Sequence, residues 1–199
     1  MNNPNTPSMV HPRLDNPRSN RLHPVRGESR ILLAGLDLGT ATSRLVCGWQ
    51  ENEGVDLKTI SPTSVGVAKE GLVESLLPGN ARILFGQEAI RHRLRLNMAQ
   101  PVVSGRIQDV SAAGQFLRYL VEQLPADPGA EIRAVAGIPA DATTAECEAI
   151  REAMAGAFDA ALLIPKPFLA ALGIRDESRL ADPDYVDPIR NSIFIDLGA

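Results

Sequence analysis

Two cysteines, three lysines, three histidines and 4% aromatic residues leave this 199-residue chain short of the groups that most often declare a function. Cys47 and Cys147 lie far apart without CxxC spacing, which excludes a disulfide scaffold or a zinc ribbon and fits a reducing, cytoplasmic setting. His11, His23 and His92 form no ligand cluster. No run of about 18 apolar residues is present, so no transmembrane helix is expected. The N-terminus has no apolar stretch of the kind a secretory leader needs. A net charge of −4 argues against nucleic acid as the main partner. What is there is ordinary for a globular chain: 44% hydrophobic and 22% charged residues. The length suits one large domain, or one and a fraction, at roughly 100–200 residues each.

Residues 1–30 stand apart. They carry Pro4, Pro7, Pro12, Pro17 and Pro24, many Asn and Ser, and no apolar periodicity. Such a stretch buries too little surface to offset its chain entropy, so a disordered tail is expected. Five arginines against Asp15 and Glu28 make it +3 and leave −7 on the rest. It reads either as a solvated tail or as a basic arm touching an anionic surface.

Order begins at Ile31. The run Ile31 to Leu36 stops at Asp37 and Gly39, as a buried strand entering a turn does. Thr42 to Trp49 is a second strand, making a hairpin with the first, and Val55 to Ile60 a third. Residues 61–100 mix Gly and Pro with a helix near Gln87–Asn97 and read as an insertion, against which Trp49 is expected to pack. Ser111 to Leu124 has helical spacing with Ser111 as its cap. Ile132 to Ile138 is a strand. Asp141 to Phe158 is a helix capped by Asp141 or Thr143, with Glu146 close behind. Ala161 to Ile164 is a strand and Pro167 to Leu172 a short helix. Residues 176–190 form an acidic, solvated loop, and Ile193 to Ile195 a last buried strand.

One motif recurs. Leu36-Asp37-Leu38-Gly39-Thr40 and Ile195-Asp196-Leu197-Gly198-Ala199 each run from an apolar strand to Asp, an apolar residue and Gly. An Asp at a strand end can hold a hydrated divalent cation through water. The Gly lets the backbone turn and approach a phosphate with no Cβ in the way. Thr40, Thr42 and Ser43 add hydroxyls and N–H groups around the same anion. Two facing hairpins would grip a nucleotide phosphate tail, with Mg²⁺ between Asp37 and Asp196. The plain alternative is two turn aspartates on unrelated strands.

The order of elements, with the segments Ala34–Ser43, Pro101–Asp109, Val135–Pro139 and Ile193–Ala199, resembles the actin-like ATPase superfamily and within it the bacterial actins. Pro167-Phe168-Leu169 looks most like the magnetosome-associated branch, and next the cell-shape branch. The resemblance covers residues 31–199. It implies an α/β, ribonuclease-H-like actin fold, with a mixed five-stranded sheet flanked by helices. It implies a domain I over 31–190 with the insertion at about 61–100, and the first strand of a truncated domain II over 191–199. ATP and Mg²⁺ binding, self-association into filaments, hydrolysis governing filament turnover, and magnetosome or inner-membrane partners are further implications. Gly39, Thr40, Thr42, Ser43 and Gly198 would hold phosphate; Asp37 and Asp196 would face the metal through water.

Two departures stand out. Where these proteins carry a Glu that orients the attacking water, before the Pro of the short helix, this chain has Lys166. A charged lysine cannot accept a proton, and its cation can pair with the γ-phosphate, so slow or absent hydrolysis is expected. Alternatively Lys166 points to solvent and Glu146 or Glu148 acts. The second departure is length: the chain reads as a fragment holding half of a clamp, and by itself is expected to bind ATP weakly if at all. A DnaK-type chaperone ATPase and a non-hydrolysing filament scaffold are the rival readings. Sugar kinases share the fold, but no sugar-binding signature is visible.

Overall fold

A computed structural model of the chain describes residues 30–52, 54–71 and 76–195. The expected tail 1–29 and the 196–199 end of the recurring motif lie outside them.

Strands β1 (Ile31–Asp37), β2 (Thr42–Trp49) and β3 (Leu57–Pro62) form an antiparallel meander. The next segment builds a separate antiparallel sheet from β4 (Val65–Ala68), β5 (Ile83–Phe85) and, after α1 (Gly86–Arg91), β6 (Leu96–Ala99). A short ribbon follows, β7 (Val102–Val103) and β8 (Arg106–Ile107). Then come α2 (Val110–Val121), β9 (Glu131–Ile138), α3 (Thr144–Met154), β10 (Ala160–Pro165), α4 (Lys166–Ile174) and the single turn α5 (Pro188–Asn191). The main sheet has the order β10-β9-β1-β2-β3, with β9 and β10 parallel to β1. This is the mixed five-stranded sheet that the family resemblance implies.

Alternation places the core. Leu32, Ala34 and Leu36 of β1, Ser43, Leu45 and Cys47 of β2, and Ile132, Ala134 and Ala136 of β9 are all buried. Helix α2 covers this face with Phe116, Leu117 and Leu120 at helical spacing, and α3 adds Ile150, Ala153 and Met154. The opposite face is open: Leu33 and Leu162 are exposed there. The buried strand expected from Ile31 is therefore half-buried, because helices cover only one side of it.

Several boundaries move. The expected helix 87–97 ends at Arg91, and Leu96 turns into β6 because β4 offers it a ladder. Asp109, not Ser111, caps α2, accepting from the Ala112 N–H at 2.9 Å. Trp49 lies beneath the Arg30 guanidinium, 3.8 Å from the ring centroid, rather than against the insertion. The acidic loop is pinned by Arg175 and Asp187, 3.1 Å apart and largely buried. Ser192–Ile195 form no strand: among the described residues no neighbour pairs with them, and Ile193 is 92% exposed.

Candidate functional site

The carboxyl ends of β1, β9 and β10 meet at one level. Asp37 of β1 stands beside Gly137 of β9, and Gly137 beside Ile164 of β10. In open α/β sheets this is where ligands bind. A cleft of about 340 Å³ opens there, lined by Leu36, Asp37, Gly137, Lys166, Leu169 and Phe194 among others, a volume within the range of small-molecule sites.

Past Asp37 the chain turns through Leu38–Ala41 into β2. A Cβ on Gly39 would stand 2.5 Å from the Thr42 carbonyl oxygen, so only glycine closes this turn. Among the described residues, the N–H groups of Gly39, Thr40 and Ala41 donate to no protein acceptor. Successive unengaged N–H groups in a tight turn are suited to an anion. Thr40 braces the turn: its Oγ1 accepts from the Gly105 N–H at 3.1 Å, across from the β7–β8 turn.

Asp37 holds two cations. Arg44, its cross-strand neighbour, donates from Nη1 to Oδ2 at 3.0 Å, and Lys166 Nζ lies 2.8 Å from Oδ1. At that distance the ammonium and the carboxylate form a close ion pair. Burial pushes the Asp37 carboxyl up, but Lys166 and then Arg44 outweigh it and hold it below its ordinary value. Lys166 reaches this position over Gly137, where a Cβ would come within 3.0 Å of its Cγ.

The other expected site residues divide. Thr42 sits at the start of β2, half-buried beside the turn. Ser43 does not face the anion site: it is fully buried, its hydroxyl 2.7 Å from the Thr63 hydroxyl. Its i, i+2, i+4 alternation with Leu45 and Cys47 already puts it on the core face. Glu146 is engaged elsewhere. Its Oε2 accepts from the Thr143 N–H at 2.8 Å in a capping box, and its Oε1 accepts from Arg106 at 3.0 Å. Both of its oxygens are turned to the start of α3 and to Arg106. Lys166 does not point to solvent, as the alternative had it; it faces Asp37. Asp196 and Gly198 lie outside the described residues. Sequence reasoning missed Arg44, which the hairpin register puts opposite Asp37; Gly105 lies in the Pro101–Asp109 segment that carried the resemblance, but its bond to Thr40 was not foreseen.

The residues fit the two parts of a magnesium nucleotide unequally. The open N–H turn fits phosphate. The Asp37 carboxylate, where a hydrated metal would stand, already carries an ammonium and a guanidinium. Among the described residues no group of three or more His, Cys, Asp or Glu could hold a metal, and no helix is long and apolar enough to cross a membrane.

Known proteins agree with this architecture. The chain is 27% identical to the actin-like protein MamK of Magnetospirillum gryphiswaldense, over 92% of this chain and 47% of that protein. It is 26% identical to MamK of Paramagnetospirillum magneticum, over 87% and 46%. The chain thus spans about half the length of the curated relatives it matches. Its structure resembles that of the MamK double helical filament, with TM-score 0.63 and 25% identity over 72% of this chain and 43% of that one. MreB5 of Spiroplasma citri bound to ADP, at TM-score 0.52 and 21% identity over 71% and 40%, shares the fold. The MreB/Mbl protein family model matches residues 32–181, and the chain belongs to that family of bacterial actin-like proteins.

Proposed function

We propose that this chain is the N-terminal, phosphate-gripping half of a MamK-like filament subunit that binds ATP and turns it over slowly or not at all. The observation that carries the reading is the Gly39–Ala41 turn, with its unengaged N–H groups beside Asp37 at the ends of β1, β9 and β10. Bound ATP would lay its phosphates against this turn. Gly39 keeps the backbone close, and Thr40 and Gly105 keep it in shape. Mg²⁺, where it accompanies the nucleotide, would neutralise phosphate charge. Slow hydrolysis rests on Lys166, which stands where the resemblance expects a water-orienting Glu and cannot take a proton while charged. Self-association is supported by the likeness to the MamK double helical filament. A neighbouring structure of a non-polymerising MamK mutant bound to AMPPNP, at TM-score 0.62, supports the nucleotide. The resemblance to magnetosome-associated actins suggests a cytoplasmic filament with magnetosome or inner-membrane partners.

The test is binding of a fluorescent ATP analogue to this chain and to Gly39→Val, with sedimentation of the chain in ATP as the second readout. The wild-type chain binds, and Gly39→Val folds but loses binding, because the added carbons force the hairpin apart. Equal binding by the variant would remove the turn from the reading. A chain that stays monomeric in ATP and captures unfolded peptides would favour the chaperone-type rival.

A further inference from the structure

The cation at Asp37 is part of the protein. Lys166, the first residue of α4, has a side chain only 24% exposed. Its stem crosses β9 where Gly137 leaves room: a Cβ there would meet Lys166 Cγ at 3.0 Å and Cε at 3.7 Å. Its Nζ ends 2.8 Å from Asp37 Oδ1, an oxygen out of contact with solvent and, among the described residues, without another partner. Arg44 takes the other oxygen at 3.0 Å. One carboxylate between two cations leaves a net positive charge beside the open N–H groups of Gly39–Ala41. A hydrated divalent cation approaching Oδ1 must displace the ammonium or stand next to it, and like charges at such separations repel strongly in a partly buried site.

We propose that Lys166 is a resident counter-cation for phosphate, taking the position of the divalent metal at Asp37, so that nucleotide polyphosphate binds here with little dependence on Mg²⁺. This rests on the nucleotide-binding reading above and adds to it how the charge is met. An ammonium is a compact point charge with three donors. It can keep Asp37 and still offer hydrogen bonds to a phosphate oxygen. Gly137 and Lys166 act as a pair: the glycine leaves room for the lysine stem, the nearest group to a Cβ placed there.

The experiment compares the affinity of the chain for AMPPNP in chelator and in Mg²⁺, beside Lys166→Arg and Lys166→Met. For the wild-type chain and Lys166→Arg the two affinities agree within about threefold, since the cation is retained in both. Lys166→Met loses about tenfold in chelator, the scale of one charged contact, and regains most of it in Mg²⁺. Mn²⁺ alone, with no nucleotide, broadens the amide signals of Asp37 and Gly137 in Lys166→Met and leaves those of the wild-type chain unchanged. A wild-type chain that loses more than about threefold on chelation, or that Mn²⁺ broadens at Asp37, overturns the proposal and leaves nucleotide binding standing. A Lys166→Met chain that binds metal-free nucleotide as tightly as wild type also overturns it. No binding by the wild-type chain in either condition removes the nucleotide reading and this inference together.

Discussion

Asp37 shows how far one residue's chemistry is set by its neighbours. Its ordinary value is 3.8, and burial alone would raise it; Lys166 and Arg44 reverse the sign. A carboxyl held lower in the folded than in the unfolded chain stabilises the fold above 3.8, and that stabilisation is lost as pH falls through the lower folded value. Asp37→Asn should therefore be less stable than wild type at neutral pH, and the gap should close in acid. Urea midpoints across pH check this; a gap that persists in acid would assign the loss to packing. The side chain is 39% exposed, so solvent screening keeps the effect modest. Lys166 carries a second prediction. If it replaces a water-orienting carboxylate, Lys166→Glu in a version extended to the length of the curated relatives releases phosphate faster than the same version with Lys166, by about tenfold or more on the scale of general base catalysis. Equal rates would remove that account. The lysine's identity was plain in the sequence; its direction was not. Which of solvent, phosphate or Asp37 it faces depends on Gly137, a residue three elements earlier.

At the level of elements, the sequence was most legible where pattern and packing agree. Phe116, Leu117 and Leu120 announce α2, and the helix buries all three. Thr143 and Glu146 announce the start of α3, and both halves of the capping box are present. Glu146 is the capping partner that this spacing suggests, and the structure engages it there. Thr143→Ala should cost about 1 kcal/mol, as cap losses do, read as a shift in the denaturant midpoint with an unchanged slope. Which sheet face is covered could not be read from β1 or β10, whose short apolar runs suit burial on either side. Leu117 and Leu162 separate the two cases. Leu117 is fully buried under the sheet, whereas Leu162 is 57% exposed on the edge strand β10. Leu117→Ala should cost about 2–5 kcal/mol, and Leu162→Ala well under half of that, since most of its surface is already in water. Comparable losses would mean that something covers the open face in solution.

The whole molecule has two cores of unequal size. The larger lies between the main sheet and helices α2 and α3, and the smaller gathers Leu77, Leu84, Ala89 and Leu96 in the β4–β6 unit. Local stability follows buried apolar contact, so the smaller unit should open first. The two meet where Val65 of β4 enters the larger core and Ile83, Phe85 and Ala99 pack against it. Phe85 of β5 stacks on Tyr119 of α2 with ring centroids 5.1 Å apart, and Tyr119 also leans on Phe116 in the main core. A stacked pair of this kind contributes about 0.5–1.5 kcal/mol beyond its burial, a large share of what holds a small unit closed. Hydrogen exchange measures this directly. Amides of β1, β2 and β9 should be the slowest, with those of β4, β5 and β6 exchanging through a separate, lower-energy opening. Phe85→Ala should speed exchange in β4–β6 and leave β1 and β9 almost unchanged. If the variant instead speeds both sets together, the chain opens as one unit, and the Phe85–Tyr119 stack belongs to a single continuous core. The turn at Gly39–Ala41 lies on the slow side of that division, at the end of β1, so the phosphate half of the cleft would remain formed while the β4–β6 unit opens.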